Sequence, residues 1–295
     1  MVPYGTRMAE TPTVALSPIG DSQVDQVAEF LHRELNPRVS ADAWAEGIGV
    51  RWVFGAPNHG FMLLEDGAVV GANLAFYSER EIDGRHVRFC NLGALCVVES
   101  HRAHAIRLVR AILRQPGYHF TDLSPSGNVI ELNRRLGFHF LDTSTALQIN
   151  WPALPASSVR IITNPIEIER RLAGRDLKIF CDHRDSPAAR HLLLTSGPDQ
   201  CYVIARRVRR KRLPFFVSVL YVSNAELFRR SSRRIAHHFL VHAGALATLL
   251  EKRVSGEPPT GSIALRHPRP KMFKSSELGP VDIDYLYSEL TQVPW

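Results

Sequence analysis

Between Asn91 and Phe140, apolar runs alternate with helical repeats, and this stretch limits the folds open to the 295-residue chain more than any other. The run Leu92-Gly93-Ala94-Leu95-Cys96-Val97-Val98 reads as a strand, which Glu99-Ser100-His101 breaks. A helical pattern follows over residues 102–113. A second short run, His119-Phe120-Thr121-Asp122-Leu123, leads through Ser124-Pro125-Ser126-Gly127-Asn128 into another helix that stops at Leu136-Gly137-Phe138. Crossovers of this length place neighbouring strands parallel, because a parallel neighbour needs a connection long enough to traverse the sheet. Such folds hold ligands where strands give way to helices, since helix N-termini offer free N–H groups and the positive end of the dipole.

The flanks complete an α/β layout. Residues 1–12 read as a loose tail. Asp21 is the expected N-cap of a helix carrying Val24, Val27, Phe30, Leu31 and Leu35 on one stripe. Ser40 is placed to cap a second helix that buries Trp44, with Trp52 and Phe54 joining that core. Residues 61–64 and 69–76 form a hairpin about Asp66-Gly67. Residues 138–141 and 145–151 read as a strand pair. Pro152, Pro155 and Ala156-Ser157-Ser158 mark a boundary, giving units of 1–151 and 152–295. The second unit repeats the layout with strands at 192–194, 201–208 and 215–222, a helix from Ala225 to about Val254, and a short amphipathic helix over 282–290. The expected class is α/β, two mixed-sheet domains with flanking helices.

Hydrophobic content of 45% and charged content of 22% are those of a globular protein and exclude long disorder. No C-x-x-C pair occurs among the four cysteines, so neither a zinc ribbon nor a thioredoxin motif is supported. Met1 to Thr13 lack an apolar leader core, and no uncharged apolar window reaches ~18 residues, so the expectation is a cytoplasmic protein without a membrane span. A net charge of +7 favours anionic partners. It concentrates in Arg206-Arg207-Val208-Arg209-Arg210-Lys211-Arg212 and in Arg229, Arg230, Arg233 and Arg234. No aromatic side chains interleave with this run, which argues against nucleic acid as the partner. His238 and His242 have helical i, i+4 spacing, but Phe239 stands where a metalloprotease helix carries Glu, and no metal is expected. The absence of G-x-S-x-G, a P-loop and G-x-G-x-x-G argues against a hydrolase, an NTPase and a dinucleotide enzyme.

Over residues 14–151 the chain resembles the GNAT superfamily of acyl-CoA-dependent N-acyltransferases. The resemblance rests on the Asp66-Gly67 hairpin before Val69-Val70-Gly71, on Leu95-Cys96-Val97 running into Arg102, and on the closing Leu136-Gly137-Phe138. The second half looks like a diverged copy, so the whole resembles a tandem arrangement. The resemblance implies acetyl-CoA or another acyl-CoA as co-substrate, its pantetheine lying along the backbone of Leu95, Cys96 and Val97. It implies a pyrophosphate loop at Arg102-Ala103-His104-Ala105-Ile106-Arg107, where small residues let N–H groups approach the phosphates. Arg102 matches the family pattern, while Ala105 replaces its first Gly and Arg107 its second small residue. Asn128, opening the next helix, is placed to bond the cofactor.

For catalysis the resemblance implies a base for the incoming amine and an acid for the leaving thiolate. Asn133, four residues before Gly137, stands where a Tyr acid is common; it can donate a hydrogen bond to sulfur but not serve as that acid. The central strand offers Asn91 without a carboxylate, which leaves Glu79, His59 and Glu99 as candidate bases. The implied reaction moves an acyl group, most simply acetyl, to an amine of a small molecule or peptide lying between the halves. The alternatives are a GNAT-like binding or assembly module without turnover, and a protein that binds an anionic polymer such as nucleic acid. Oligomeric state is not legible in the sequence.

Overall fold

A computed structural model describes residues 13–53, 55–152, 159–210 and 213–295. The expected tail (1–12), Phe54, Pro155 and Ala156-Ser157-Ser158 lie outside the described residues. The first half opens with β1 (Ala15–Pro18), α1 (Val24–Glu34) and α2 (Ala41–Gly49). Val24, Val27, Phe30 and Leu31 are buried on one face of α1, as their spacing dictates, whereas Leu35 is exposed beyond its end. Asp21 does not cap that helix. It sits in a 3-10 turn and accepts from Arg51, with His59 at 2.8 Å. Ser40 does cap α2, its Oγ accepting from Ala43 N at 3.2 Å. Trp44 is fully buried there.

β2 (Gly60–Glu65), β3 (Ala68–Ile82) and β4 (Arg85–Val97) form a meander. Its two turns, Asp66-Gly67 and Asp83-Gly84, have φ of 50°, 79°, 49° and 72°, the left-handed pair that a two-residue hairpin needs. There follow α3 (Ala105–Leu113), β5 (His119–Asp122), α4 (Asn128–Arg135), β6 (His139–Phe140) and β7 (Thr145–Ile149). The second half comprises β8 (Arg160–Ile162), α5 (Pro165–Arg171), α6 (Gly174–His183), β9 (Arg190–Ser196), β10 (Asp199–Arg210) and β11 (Leu213–Val222). After these come α7 (Ala225–Arg230), α8 (Ser232–Ala243), β12 (Ala247–Glu251), α9 (Lys252–Ser255), β13 (Ile263–Ala264), β14 (Met272–Lys274) and α10 (Glu289–Gln292). No helix among the described residues is long and apolar enough to cross a membrane.

Two sequence expectations are corrected here. The helix from Ala225 to about Val254 is instead α7, α8, β12 and most of α9, and Gly244 adopts the left-handed conformation (φ 59°) that ends α8. Ala247-Thr248-Leu249-Leu250-Glu251 then runs buried throughout as an inner strand. The expected helix over 282–290 is a 3-10 turn at Pro280–Asp282 followed by α10, with Tyr285 and Leu286 fully buried between them and Glu289 fully buried at the start of α10.

The described strands form two seven-stranded sheets, ordered β1-β2-β3-β4-β5-β14-β6 and β8-β9-β10-β11-β12-β7-β13. Each is antiparallel apart from one parallel pair, β4–β5 in the first and β11–β12 in the second. Position by position the two orders correspond, with one twist: each half places its late strand in the other's sheet. β7 pairs with β12 over Thr145 to Ile149, and β14 sits between β5 and β6. The expected pairing of residues 138–141 with 145–151 is therefore corrected, since β6 and β7 bind different sheets.

Residues 1–151 alone would leave the edge of β5 open and lose the buried Met272 and Phe273, worth roughly 1.5–3 kcal/mol each. Expressed alone, that piece is expected to aggregate, and co-expression with residues 152–295 to restore a soluble 1:1 complex on gel filtration. A folded, monomeric 1–151 fragment would contradict the exchange.

Candidate functional site

β4 and β5 pair in parallel from Phe89 and His119 to Leu92 and Asp122, and the pairing ends there while β4 continues to Val97. On its other edge β4 bulges against β3. Leu74 pairs with Gly93 and Ala72 with Cys96, so Asn73 alone faces Ala94 and Leu95, and Ala94 takes φ 50°. The fork opens into a cleft of about 440 Å³. Its walls include Asn73, Gly93, Leu95, Asp122, Ser124 and Asn133, with Arg38 from the α1–α2 loop and Arg209, Arg269 and Trp295 from the second half.

A buried polar cluster stands at the apex. Thr121 Oγ1 donates to Asn91 Oδ1 at 2.9 Å, and Asn91 Nδ2 donates to Glu289. Ser124 Oγ donates to the other Glu289 oxygen at 2.6 Å, and Asn133 Nδ2 donates to Asp122 Oδ2 at 2.7 Å. Glu289 is fully buried and Asp122 nearly so. Burial, reinforced by the charge of Glu289, pushes the Asp122 carboxyl up to about 7, against the hydrogen bonds from Asn133 and Ser124. Burial raises Glu289 as well, against the bonds from Ser124 and Asn91. Gly93 lets α10 seat against β4, since a Cβ there would lie 3.2 Å from the Phe76 ring and 3.3 Å from Glu289 Cβ. Three atoms in the cleft wall lack a protein partner: Nδ2 and Oδ1 of Asn73, and Oδ1 of Asn133. Buried amide atoms of this kind call for a ligand or water.

The residues singled out in the sequence fall into three places. Asn91 and Asn133 belong to the apex cluster. Leu95 lines the cleft, and Cys96 and Val97 continue the same strand, Cys96 packing toward the first-half core. Arg102, Ala103 and His104 form a 3-10 turn (Glu99–His104) that runs into α3, whose first turn holds Ala105, Ile106 and Arg107. Arg102 is exposed against Glu99 at 3.4 Å, while Arg107 turns to Val14 O at 3.1 Å and His104 Nδ1 at 3.3 Å. Asn128 opens α4. Glu79 stands apart on β3 opposite Arg88, six residues or about 20 Å along the strand from Asn73, with its carboxylate 2.9 Å from His86. His59 lies with Asp21, and Glu99 with Arg102, both outside the cleft wall.

Asp122, Glu289, Ser124 and Asn73 were not singled out by sequence reasoning. For Asp122 a signal existed, a carboxylate inside the apolar run Phe120 to Leu123, where an ionised side chain is costly. Glu289 gave none, being 167 residues from Asp122 in the chain.

The fold is similar to that of solved GCN5-related N-acetyltransferases. Similar solved structures include a GCN5-related N-acetyltransferase from Anabaena variabilis, with TM-score 0.57 and 14% identity over 89% of this chain and 72% of that one. One from Kribbella flavida has TM-score 0.56 and 15% identity over 89% and 71%. A putative acetyltransferase from Pyrococcus horikoshii has TM-score 0.57 and 12% identity over 96% of both chains. At these identities the likeness fixes the fold. No family model and no curated protein matches the sequence.

The raised Asp122 carboxyl has a thermodynamic signature. Its folded value, about 7, lies above its ordinary 3.8, so folding takes up a proton between them. This contribution to stability is present at low pH and is lost as pH rises through 7. Asp122→Asn, which keeps the shape and a hydrogen bond to Asn133, is expected to raise the Tm by about 5 °C at pH 8, the gap narrowing toward pH 5. Thermal unfolding of both proteins across that range checks it.

Proposed function

We propose that the chain transfers an acyl group, most simply acetyl, from an acyl-CoA to an amine. The reading is supported above all by the fork between β4 and β5, where free strand backbone runs beside a buried carboxyl whose pKa lies near neutrality. In this reading Leu95, Cys96 and Val97 offer backbone to the pantetheine arm. The start of α3 faces the pyrophosphate, with the exposed Arg102 free to turn onto it. Above pH 7 Asp122 is a carboxylate and takes a proton from the incoming ammonium. The neutral nitrogen then attacks the thioester carbonyl, the carbon–sulfur bond breaks, and the leaving thiolate takes up the proton that the acylated nitrogen gives off, forming CoA. Asn133 holds Asp122 in place, and Asn91 and Ser124 hold Glu289, which keeps the neighbouring carboxyl pKa high. Under the same reading the units 1–151 and 152–295 are tandem copies, of which the first carries the reaction.

Isothermal titration with acetyl-CoA is expected to give micromolar binding, and amines to be acylated with a rate that climbs as pH passes 7. Asp122→Asn is expected to lower kcat by about 10²–10⁴-fold while leaving the Kd for acetyl-CoA unchanged. Full affinity without transfer to any of a broad set of amines would favour the non-catalytic binding module instead. Absence of binding would sink the acyl-CoA assignment.

A further inference from the structure

The cleft is electrically polarised. At its apex Asp122 is the one acidic residue among the described residues that line it. Its rim carries Arg38, Arg209 and Arg269, supplied by the α1–α2 loop, β10 and the segment before β14. None of the three forms an ion pair among the described residues. Arg269 Nη2 donates to the Arg209 backbone carbonyl at 2.9 Å, which holds the Arg269 guanidinium against β10. Arg210 lies close by, its own Nη2 donating to His267 O at 3.1 Å. Behind this rim Arg206 is buried and spends its donors on the carbonyls of Leu290, Val293 and Trp295. Like charges converging without carboxylates repel one another, and that arrangement is relieved when an anion joins them. Guanidinium groups suit carboxylate and phosphate because their forked donors match both oxygens.

The start of α3, where the proposed function puts the donor's pyrophosphate, does not line this cleft, so these arginines are free for the other reactant. The unpartnered amide of Asn73 lies in the wall of the same cleft and adds a buried donor and acceptor. We propose that the acceptor is a small zwitterionic amine, its nitrogen placed at Asp122 and its carboxylate or phosphate held by Arg38, Arg209 and Arg269. This rests on the acyltransferase reading and narrows it to a substrate class, amines bearing an anion a few bonds away. The cleft volume of about 440 Å³ suits a small molecule and not a folded polypeptide.

The test compares matched acceptors with acetyl-CoA at fixed ionic strength: β-alanine against β-alaninamide, and phosphoethanolamine against ethanolamine. The expected result is kcat/KM at least tenfold higher for the anionic member of a pair, and the better pair tells carboxylate from phosphate. In Arg209→Gln and Arg269→Gln the ratio within each pair should collapse toward one, with about a tenfold loss for the anionic member. Arg209→Lys should restore part of it. Circular dichroism and Tm confirm that the variants fold. Turnover of neutral amines with no preference for anionic ones would overturn the acceptor class while leaving acyl transfer intact. A raised KM for acetyl-CoA in the arginine variants would assign the rim to the donor and overturn it too. Titration of inorganic phosphate and of N-acetyl-β-alanine gives a readout that needs no turnover. Binding lost in Arg209→Gln, with no amine acylated, would uphold the anion site and remove the acyltransferase reading. Neither binding nor preference would remove the site.

Discussion

Four residue pairs hold β4 to β5, and the structure turns on their being only four. Parallel strands of equal length would close the sheet and leave no room for a ligand. Here β4 is drawn toward β3 by its bulge at Ala94, and α10 wedges against the same strand at Gly93. The fork thus has a mechanical cause on each side. Because the wedge carries Glu289, opening the fork and placing a second carboxyl near Asp122 are one event. Changes to Gly93 or to the α10 backbone would alter geometry and electrostatics together.

Two carboxyl groups buried this close cannot both ionise cheaply. Each carboxyl receives two donors: Asn91 and the Ser124 hydroxyl serve Glu289, Asn133 and the Ser124 amide serve Asp122. Asp122 is left near neutrality and beside the cleft, where a change of protonation can be used. The second half contributes to this site through α10, Trp295, Arg209 and Arg269. Elsewhere it settles its buried charges internally, as in the Lys271–Glu251 pair capped by the Tyr285 hydroxyl.

Local chemistry made much of the first half legible. Asp66-Gly67 fixes a turn through φ alone, Ser40 caps α2, and the α1 stripe follows the 3.6-residue repeat. Asn91 was singled out for its place on the central strand and Asn133 for standing four residues before Gly137, and both side chains lie in the buried polar cluster. What escaped was non-local. β12 reads as helix because Ala247-Thr248-Leu249-Leu250 has no alternation when both faces are buried. β14 is three residues long and gains its identity from β5 and β6. The same holds for Glu289, which became visible only once α10 was seen lying on β4. Glu79 shows the converse error: proximity in sequence to the central strands placed it among the candidates, and the long hairpin carries it away.

The exchange of β7 for β14 also sets a timetable. A chain made from its N-terminus usually completes its first unit while the rest is still being assembled. Here the first sheet waits for Met272, more than a hundred residues after β6, to leave the ribosome, and β7 waits for β12. Until then each half exposes a strand edge whose proper neighbour belongs to the other. In the interval the β5 edge could recruit the same segment from a second polypeptide, making a cross-chain dimer the natural by-product of slow elongation.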